Sequence, residues 1–173
     1  MGSPWSGRQT LLSRKLDISP SRGITHTRLY GINYMMKMRF AKEEDFCLIE
    51  KIDDSIVFPE FKKWADNKQV YLIFENDEFA GWLQFGFFLE KIPMINYLAL
   101  FEQFRGIGTG TLSLLIWERQ MMEKMYDKFI VAPEKDNETA IKFFEEKGYK
   151  KIGDINIPDN EERLVYFKHK PLF

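Results

Sequence analysis

Cysteine is nearly missing from this chain. Cys47 stands alone among 173 residues, so no internal disulfide can form, and the usage fits a reducing compartment such as the cytoplasm. Histidine is almost as scarce: His26 and His169 are the only two, far apart in sequence. With Cys47 they give no metal-ligand spacing, and no metal is expected. No apolar run approaches the roughly 18 residues of a membrane span, so no membrane partner is expected. An excess of one charge is lacking too. The 25 Lys and Arg against 26 Asp and Glu leave a net charge of −1, with no basic footprint for nucleic acid. There is no internal repeat and no low-complexity tract.

What is present reads as one ordinary domain. The composition is 45% apolar, enough for a continuous core at this length. Residues 1–34 differ from the rest: Arg8, Arg14, Lys15, Arg22 and Arg28 face only Asp17, a net +4 that leaves −5 for residues 35–173. They contain no continuous apolar stretch of a secretory signal. Their Arg- and Ser-rich composition has something of an organellar transit peptide. The opening Met-Gly-Ser and the cluster Met35, Met36 and Met38 favour a vector-derived or other leader segment over 1–34 instead. Residues 35–173 are then the folded domain.

The most informative stretch lies at residues 98–110. An apolar strand runs through Leu98, Ala99 and Leu100 into Phe101-Glu102-Gln103-Phe104-Arg105-Gly106-Ile107-Gly108-Thr109-Gly110. Leu112, Leu114, Leu115 and Ile116 then open a helix. Alternate glycines allow a tight turn with no side chain in the way of a ligand. A helix start carries unpaired N–H groups and the positive end of the macrodipole, which together hold phosphate. Arg105 adds charge and a fork of donors. A dinucleotide fingerprint is excluded because the third glycine position is Thr111, and a P-loop is excluded because no lysine follows the glycines.

What does fit is Arg105-x-x-Gly108-x-Gly110, with Gln103-x-x-Gly106-x-Gly108 as a second register. Here the sequence resembles the GNAT superfamily of acyl-CoA N-acyltransferases, whose pyrophosphate loop reads [Q/R]-x-x-G-x-[G/A]. Asn137-x-x-Ala140-x-x-Phe143-Phe144-Glu145-x-x-Gly148-Tyr149 is similar to the family's second signature helix. Read for itself, that segment is an amphipathic helix with Asn137 as N-cap and Gly148 as its stop. The pattern of apolar runs and turns gives the order β-α-α-β-β-β-α-β-α-β-β. This is an α/β domain with a mixed sheet, and the resemblance, covering residues 36–170, implies a GNAT-like fold. On the helix after the glycine turn, Leu112, Leu115, Ile116 and Met122 are expected on the apolar face, with Arg119 interrupting it.

Acetyl transfer to an amine needs a fixed thioester, a stabilised oxyanion, and groups that move protons. The resemblance implies that backbone groups of Leu98, Ala99 and Leu100 hold the pantetheine arm of acetyl-CoA. It implies that Arg105, Gly106, Ile107, Gly108, Thr109 and Gly110 hold the pyrophosphate, and that Asn137 and Phe144 contact the cosubstrate. Phe144 stands where the family often carries a tyrosine as general acid, and Met94 where it often carries a glutamate as base. The catalytic candidates that remain are Asn96 and Glu90. Alternation along the strand places Met94, Asn96, Leu98 and Leu100 on one face, with Asn96 its polar member. Asn96 would orient a water and Glu90 would accept a proton.

Trp64, Trp82, Phe85, Phe87 and Phe88 either line an acceptor pocket or pack the core. The −5 balance points to a cationic acceptor such as a polyamine, an amino sugar or a peptide amine. The expected function is an acetyl-CoA-dependent N-acetyltransferase, by direct attack of a primary amine. The alternative is a non-catalytic acyl-CoA-binding module, because of Phe144 and Met94. Oligomeric state is open, with a homodimer one option.

Overall fold

The computed structural model describes residues 35–156, 158 and 162–172, and the backbone alone for Asp17–Ser21 and Ile24–Arg28. The strands are β1 Asp17–Ser21, β2 Ile24–Arg28, β3 Met35–Phe40, β4 Val70–Glu75, β5 Glu78–Phe88, β6 Ile92–Leu100, β7 Lys128–Val131, β8 Lys150–Asn156 and β9 Glu162–His169. The helices are α1 Phe46–Ile49, α2 Phe58–Asp66, α3 Thr109–Glu123 and α4 Glu138–Glu146. From β3 onward this is the expected order. The sheet runs β1-β2-β3-β4-β5-β6-β7-β9-β8, antiparallel except where β6 meets β7. A crossover helix, α3, joins that parallel pair, as parallel neighbours require. Strands β1 and β2 extend the ladder outward from β3. The leader assignment for the rest of 1–34 lies outside the described residues.

Two layers of helix cover the sheet. Helices α3 and α4 lie on one face over Met38, Tyr71, Ile73, Leu83, Phe85 and Ile95. Helices α1 and α2 lie on the other over Val70, Leu72 and Trp82, with Ile49 and Phe61 wholly buried between. Consecutive burial of Val70, Tyr71, Leu72 and Ile73 marks β4 as a strand covered on both sides. Gly81 is fixed by close approach: a Cβ there would come within 2.1 Å of the Ala99 carbonyl oxygen on β6.

The inward face of α3 departs from the expected one. Ser113, Leu114, Ile116, Trp117 and Met121 are buried, whereas Leu112, Leu115 and Met122 are only partly so. Arg119 does not interrupt the core at all; it lies outside and pairs with Glu123. The shift follows from Glu118, which is fully buried. Its carboxylate accepts from Tyr149 Oη at 2.9 Å, Lys168 Nζ at 2.8 Å and Lys170 Nζ at 3.3 Å. A buried charge survives only when paired in this way. The cluster ties α3 to β9 and to the end of α4. Burial and the Glu118 charge both push the Tyr149 hydroxyl well above its usual range, so it stays protonated.

Candidate active site

Strand β6 has two different halves. Along its whole length β5 flanks it on one side. On the other side β7 pairs with it only at Met94↔Ile130 and Ile95↔Val131. The parting begins at a bulge. Gln84 opposes Tyr97 and Phe85 opposes Ile95, so Asn96 is an extra residue on β6. A bulge bends its strand and strengthens local twist, which ends pairing with β7 at that point.

The extra residue also resets the alternation. Ile95 and Leu98 now share the α3/α4 face, while Tyr97 and Ala99 turn to the α1/α2 face. The expected common face of Met94, Asn96, Leu98 and Leu100 is therefore interrupted, because one inserted residue moves every later side chain by one step. Met94 does not share a face with Leu98.

Beyond the bulge the free edge of β6 is open. The Phe101 amide bonds the Ala80 carbonyl of β5 at 3.0 Å, so alternate residues Leu98 and Leu100 turn their backbone groups away from β5, into the opening. Ala99 turns its own toward β5. Of the three residues expected to offer the backbone, Leu98 and Leu100 do so on the open side.

The chain then makes a short 3₁₀ turn, Glu102–Phe104, anchored by buried Phe104. Arg105, an exposed residue, folds back so that its Nε donates to the Leu100 carbonyl at 2.9 Å. Gly106 and Gly108 adopt φ of +73° and +101°, left-handed geometry that suits glycine. A Cβ at either position would meet nothing within 4 Å. Among the described residues, the amides of Gly106, Ile107, Gly108, Gly110 and Thr111 meet no backbone acceptor. Residues 105–108 are exposed. These donors sit at the positive end of α3, which is an anion site by its physics.

Its supports are buried. Thr109 Oγ1 donates to Glu75 Oε1 at 2.5 Å, and Ser113 Oγ donates to the Thr109 carbonyl at 2.8 Å. Both threonine and glutamate are inaccessible to water, so the first turn of α3 is pinned to the end of β4. Thr109 therefore contributes its hydroxyl to the scaffold. At Gly110 the Phe143 ring and Leu100 stand 3.6 and 3.7 Å from where a Cβ would be.

Asn137 is placed at the start of α4, and its Oδ1 accepts the Ala140 amide at 3.0 Å as a helix cap. Phe144 is buried against Phe143 and Tyr149 and has no proton to give. Phe143, quoted in the signature helix without a role, is the ring beside the glycine turn; its place in the i, i+3 row from Ala140 was the available signal. Gln84 and Glu75 were also missed. Each is a lone polar residue at the middle or end of an otherwise apolar strand, a pattern that asks for a partner.

The two catalytic candidates are not brought together. Asn96 lies at the bulge, half-exposed, with Nδ2 donating to Gln84 Oε1 at 2.8 Å. Glu90 stands exposed at the tip of the β5–β6 hairpin, where Leu89 and Glu90 have φ of 50° and 59°. It precedes Asn96 by six positions, roughly 20 Å along an extended strand. Trp82 and Phe85 are buried core. Phe87 and Phe88 are exposed toward the hairpin tip, and Trp64 packs half-buried against Trp82 and Tyr97. Among the described residues no group of three His, Cys, Asp or Glu is arranged to hold a metal ion. None of their helices is long and apolar enough to cross a membrane.

A sheet parted beside a glycine-lined helix start is the architecture of an acyltransferase that takes its acyl group from a diphosphate-bearing carrier. Residues 35–149 match the model of the acetyltransferase (GNAT) family, and the chain belongs to that family. No curated protein matches the sequence. Among solved structures, Ard1 from Thermoplasma volcanium superposes with a TM-score of 0.70 at 13% identity, over 79% of this chain and 98% of that one. PaiA N-acetyltransferase from Thermoplasma acidophilum, in complex with coenzyme A, gives 0.62 at 14%, over 78% and 98%. The Salmonella typhimurium acetyl transferase that modifies the N-terminal serine of ribosomal protein L7/L12 gives 0.63 at 17%, over 79% and 95%. These likenesses are of fold.

Proposed function

We propose that the protein is an acetyl-CoA-dependent N-acetyltransferase whose acceptor is a primary amine on a small molecule or peptide. One observation carries the reading: the amides of Gly106, Ile107, Gly108, Gly110 and Thr111, which meet no backbone acceptor among the described residues, adjoin the edge of β6 from which β7 has parted. The amides and Arg105 would hold the pyrophosphate of acetyl-CoA. The open backbone groups of Leu98 and the Leu100 amide would hold its pantetheine arm, the Leu100 carbonyl being taken by Arg105. The cosubstrate supplies an activated acetyl thioester.

This chain's own part is mainly to bind and aim. A backbone N–H on the open side of β6 is available to polarise the thioester carbonyl. With Phe144 at the usual tyrosine position and Glu90 far from the bulge, neither position expected to move a proton supplies a group at the opening. An amine that reaches the site already neutral, losing its last proton to water, fits this arrangement. The −5 balance of residues 35–173 favours a cationic acceptor. The coenzyme A complex of PaiA and the N-terminal-serine activity of the Salmonella protein belong to distant relatives, and they support the cosubstrate and amine class proposed here. The single cysteine suits a reducing compartment such as the cytoplasm.

The test is thiol release from acetyl-CoA across polyamines, aminoglycosides, amino acids and short peptides. Turnover with at least one amine is expected. Tight acetyl-CoA binding with no turnover on any acceptor would contradict the enzyme reading and leave a binding module.

A further inference from the structure

The amide pair at the bulge has a fixed direction. Gln84 is 2% exposed, and its Nε2 donates to the Phe85 carbonyl at 2.9 Å. A carbonyl can only accept, so the NH₂ end of Gln84 must face Phe85 and its oxygen must face Asn96. Asn96 must then present its own NH₂ group, as it does at 2.8 Å. What remains on the half-exposed Asn96 is Oδ1, a hydrogen-bond acceptor that meets no donor among the described residues. Leu83 and Phe85 face α3 and α4, so Gln84 between them lies on the α1/α2 face with Trp82, and it draws the Asn96 side chain to that face. Gly86, which opposes Met94, lies next to the pair: a Cβ there would be 3.4 Å from Asn96 Nδ2.

The location gives the pair a use. Pairing between β6 and β7 ends at Ile95, one residue before Asn96. The acceptor oxygen thus stands at the inner end of the opening, about 13 Å along β6 from Leu100 and the amide row. We propose that Gln84 is a positioning residue for acetyl transfer. It turns Asn96 so that Oδ1 accepts an N–H of the incoming neutral amine on the α1/α2 face and directs the nitrogen lone pair at the thioester carbon. The inference rests on the transferase reading above. The nitrogen–carbon bond forms, the carbon–sulfur bond breaks, and the surplus proton of the amine passes through water to the leaving thiolate. A neutral amide cannot keep that proton, so the wild-type rate should rise with pH through the titration of the amine alone.

The test uses the full chain, acetyl-CoA and the best amine of the panel. Gln84→Leu and Asn96→Ala should each lower kcat/KM for the amine roughly 10- to 100-fold, the scale of a lost orientation. Acetyl-CoA affinity should stay within about twofold. The double variant should be no worse than either single one, because both remove the same contact. Asn96→Asp, which installs a base and loses the donor to Gln84, should add a carboxylate limb to the pH profile that the wild type lacks. If Gln84→Leu does not fold, Asn96→Ala and Asn96→Asp decide alone. Unchanged kcat/KM in Asn96→Ala, losses that multiply in the double variant, or an unaltered pH profile in Asn96→Asp would overturn the proposal. A wild type that releases no thiol with any amine would overturn the transferase reading itself, and this inference with it.

Discussion

Helices α3 and α4 begin in opposite ways. At α4, Asn137 closes the first turn by accepting the Ala140 amide. At α3 the N-cap is Gly108, with no side-chain cap, and five amides around it meet no backbone acceptor among the described residues. The turn before α1 is closed as well: Asp45 accepts the Lys42 amide at 2.8 Å and a bidentate pair from Arg39 at 2.7 Å. Satisfying the first turn with a side chain stabilises a fold by about 1 kcal/mol. Leaving it open costs that much and keeps the donors for a ligand. Of the four helix starts, that of α2 also lacks a side-chain cap, with Pro59 in its first turn, but only α3's adjoins a parted strand.

The comparison breaks most severely if the open start is filled. Gly108→Glu should weaken acetyl-CoA binding at least about 100-fold, through a side chain at φ +101° and a carboxylate among the donors. Gly108→Ala should show the smaller, conformational share. Titration calorimetry reads both, and an unchanged dissociation constant for Gly108→Glu would contradict the site. Next, Arg105→Ala should weaken binding roughly tenfold and flatten its salt dependence, with Arg105→Lys in between because the fork is lost but the charge kept. Equal salt slopes in wild type and Arg105→Ala would remove Arg105 from the phosphate site.

The closed starts should respond in stability and not in binding. Asn137→Ala should cost about 1 kcal/mol and lower the melting temperature by several degrees, while Asn137→Asp keeps the cap. Acetyl-CoA affinity should move by less than about twofold. A large affinity loss would show that Asn137 also makes the cosubstrate contact its family motif implies.

Asp45 sharpens the contrast through pH. Burial pushes its carboxyl up, but the Arg39 guanidinium, the Lys42 amide and the neighbouring positive charges outweigh this and hold it below the ordinary range. Its contribution is therefore complete above the usual carboxylate value of about 4 and is lost as pH falls through the lower folded value. Thermal unfolding below about pH 4 should decline more steeply for the wild type than for Asp45→Asn. Parallel curves would contradict the assignment.

Much of this was legible because it is local. The glycine turn, the Asn137 cap and the order of elements depend on residues within a turn or two of one another, and each appears in the structure as read. The bulge at Asn96 was not legible, because it is a register event between β5 and β6, and simple alternation placed Met94 and Leu98 on one face. The inward face of α3 was misplaced for a related reason. Glu118 reads as a surface residue until Tyr149, Lys168 and Lys170, distant in sequence, are brought around it. Glu90 looked near Asn96 on the chain, and the hairpin carried it outward. Gln84 gave a signal that went unused: one amide among Trp82, Leu83 and Phe85 needs a partner, and the partner was the catalytic candidate.

The most direct test follows backbone amide resonances as acetyl-CoA is titrated into the full chain. The amides of Gly106, Ile107, Gly108, Gly110 and Thr111 should shift together and saturably, while that of Ala140, already bonded to Asn137, should hold nearly still. Saturable binding that leaves residues 106–111 unmoved would place the cosubstrate elsewhere and contradict the account.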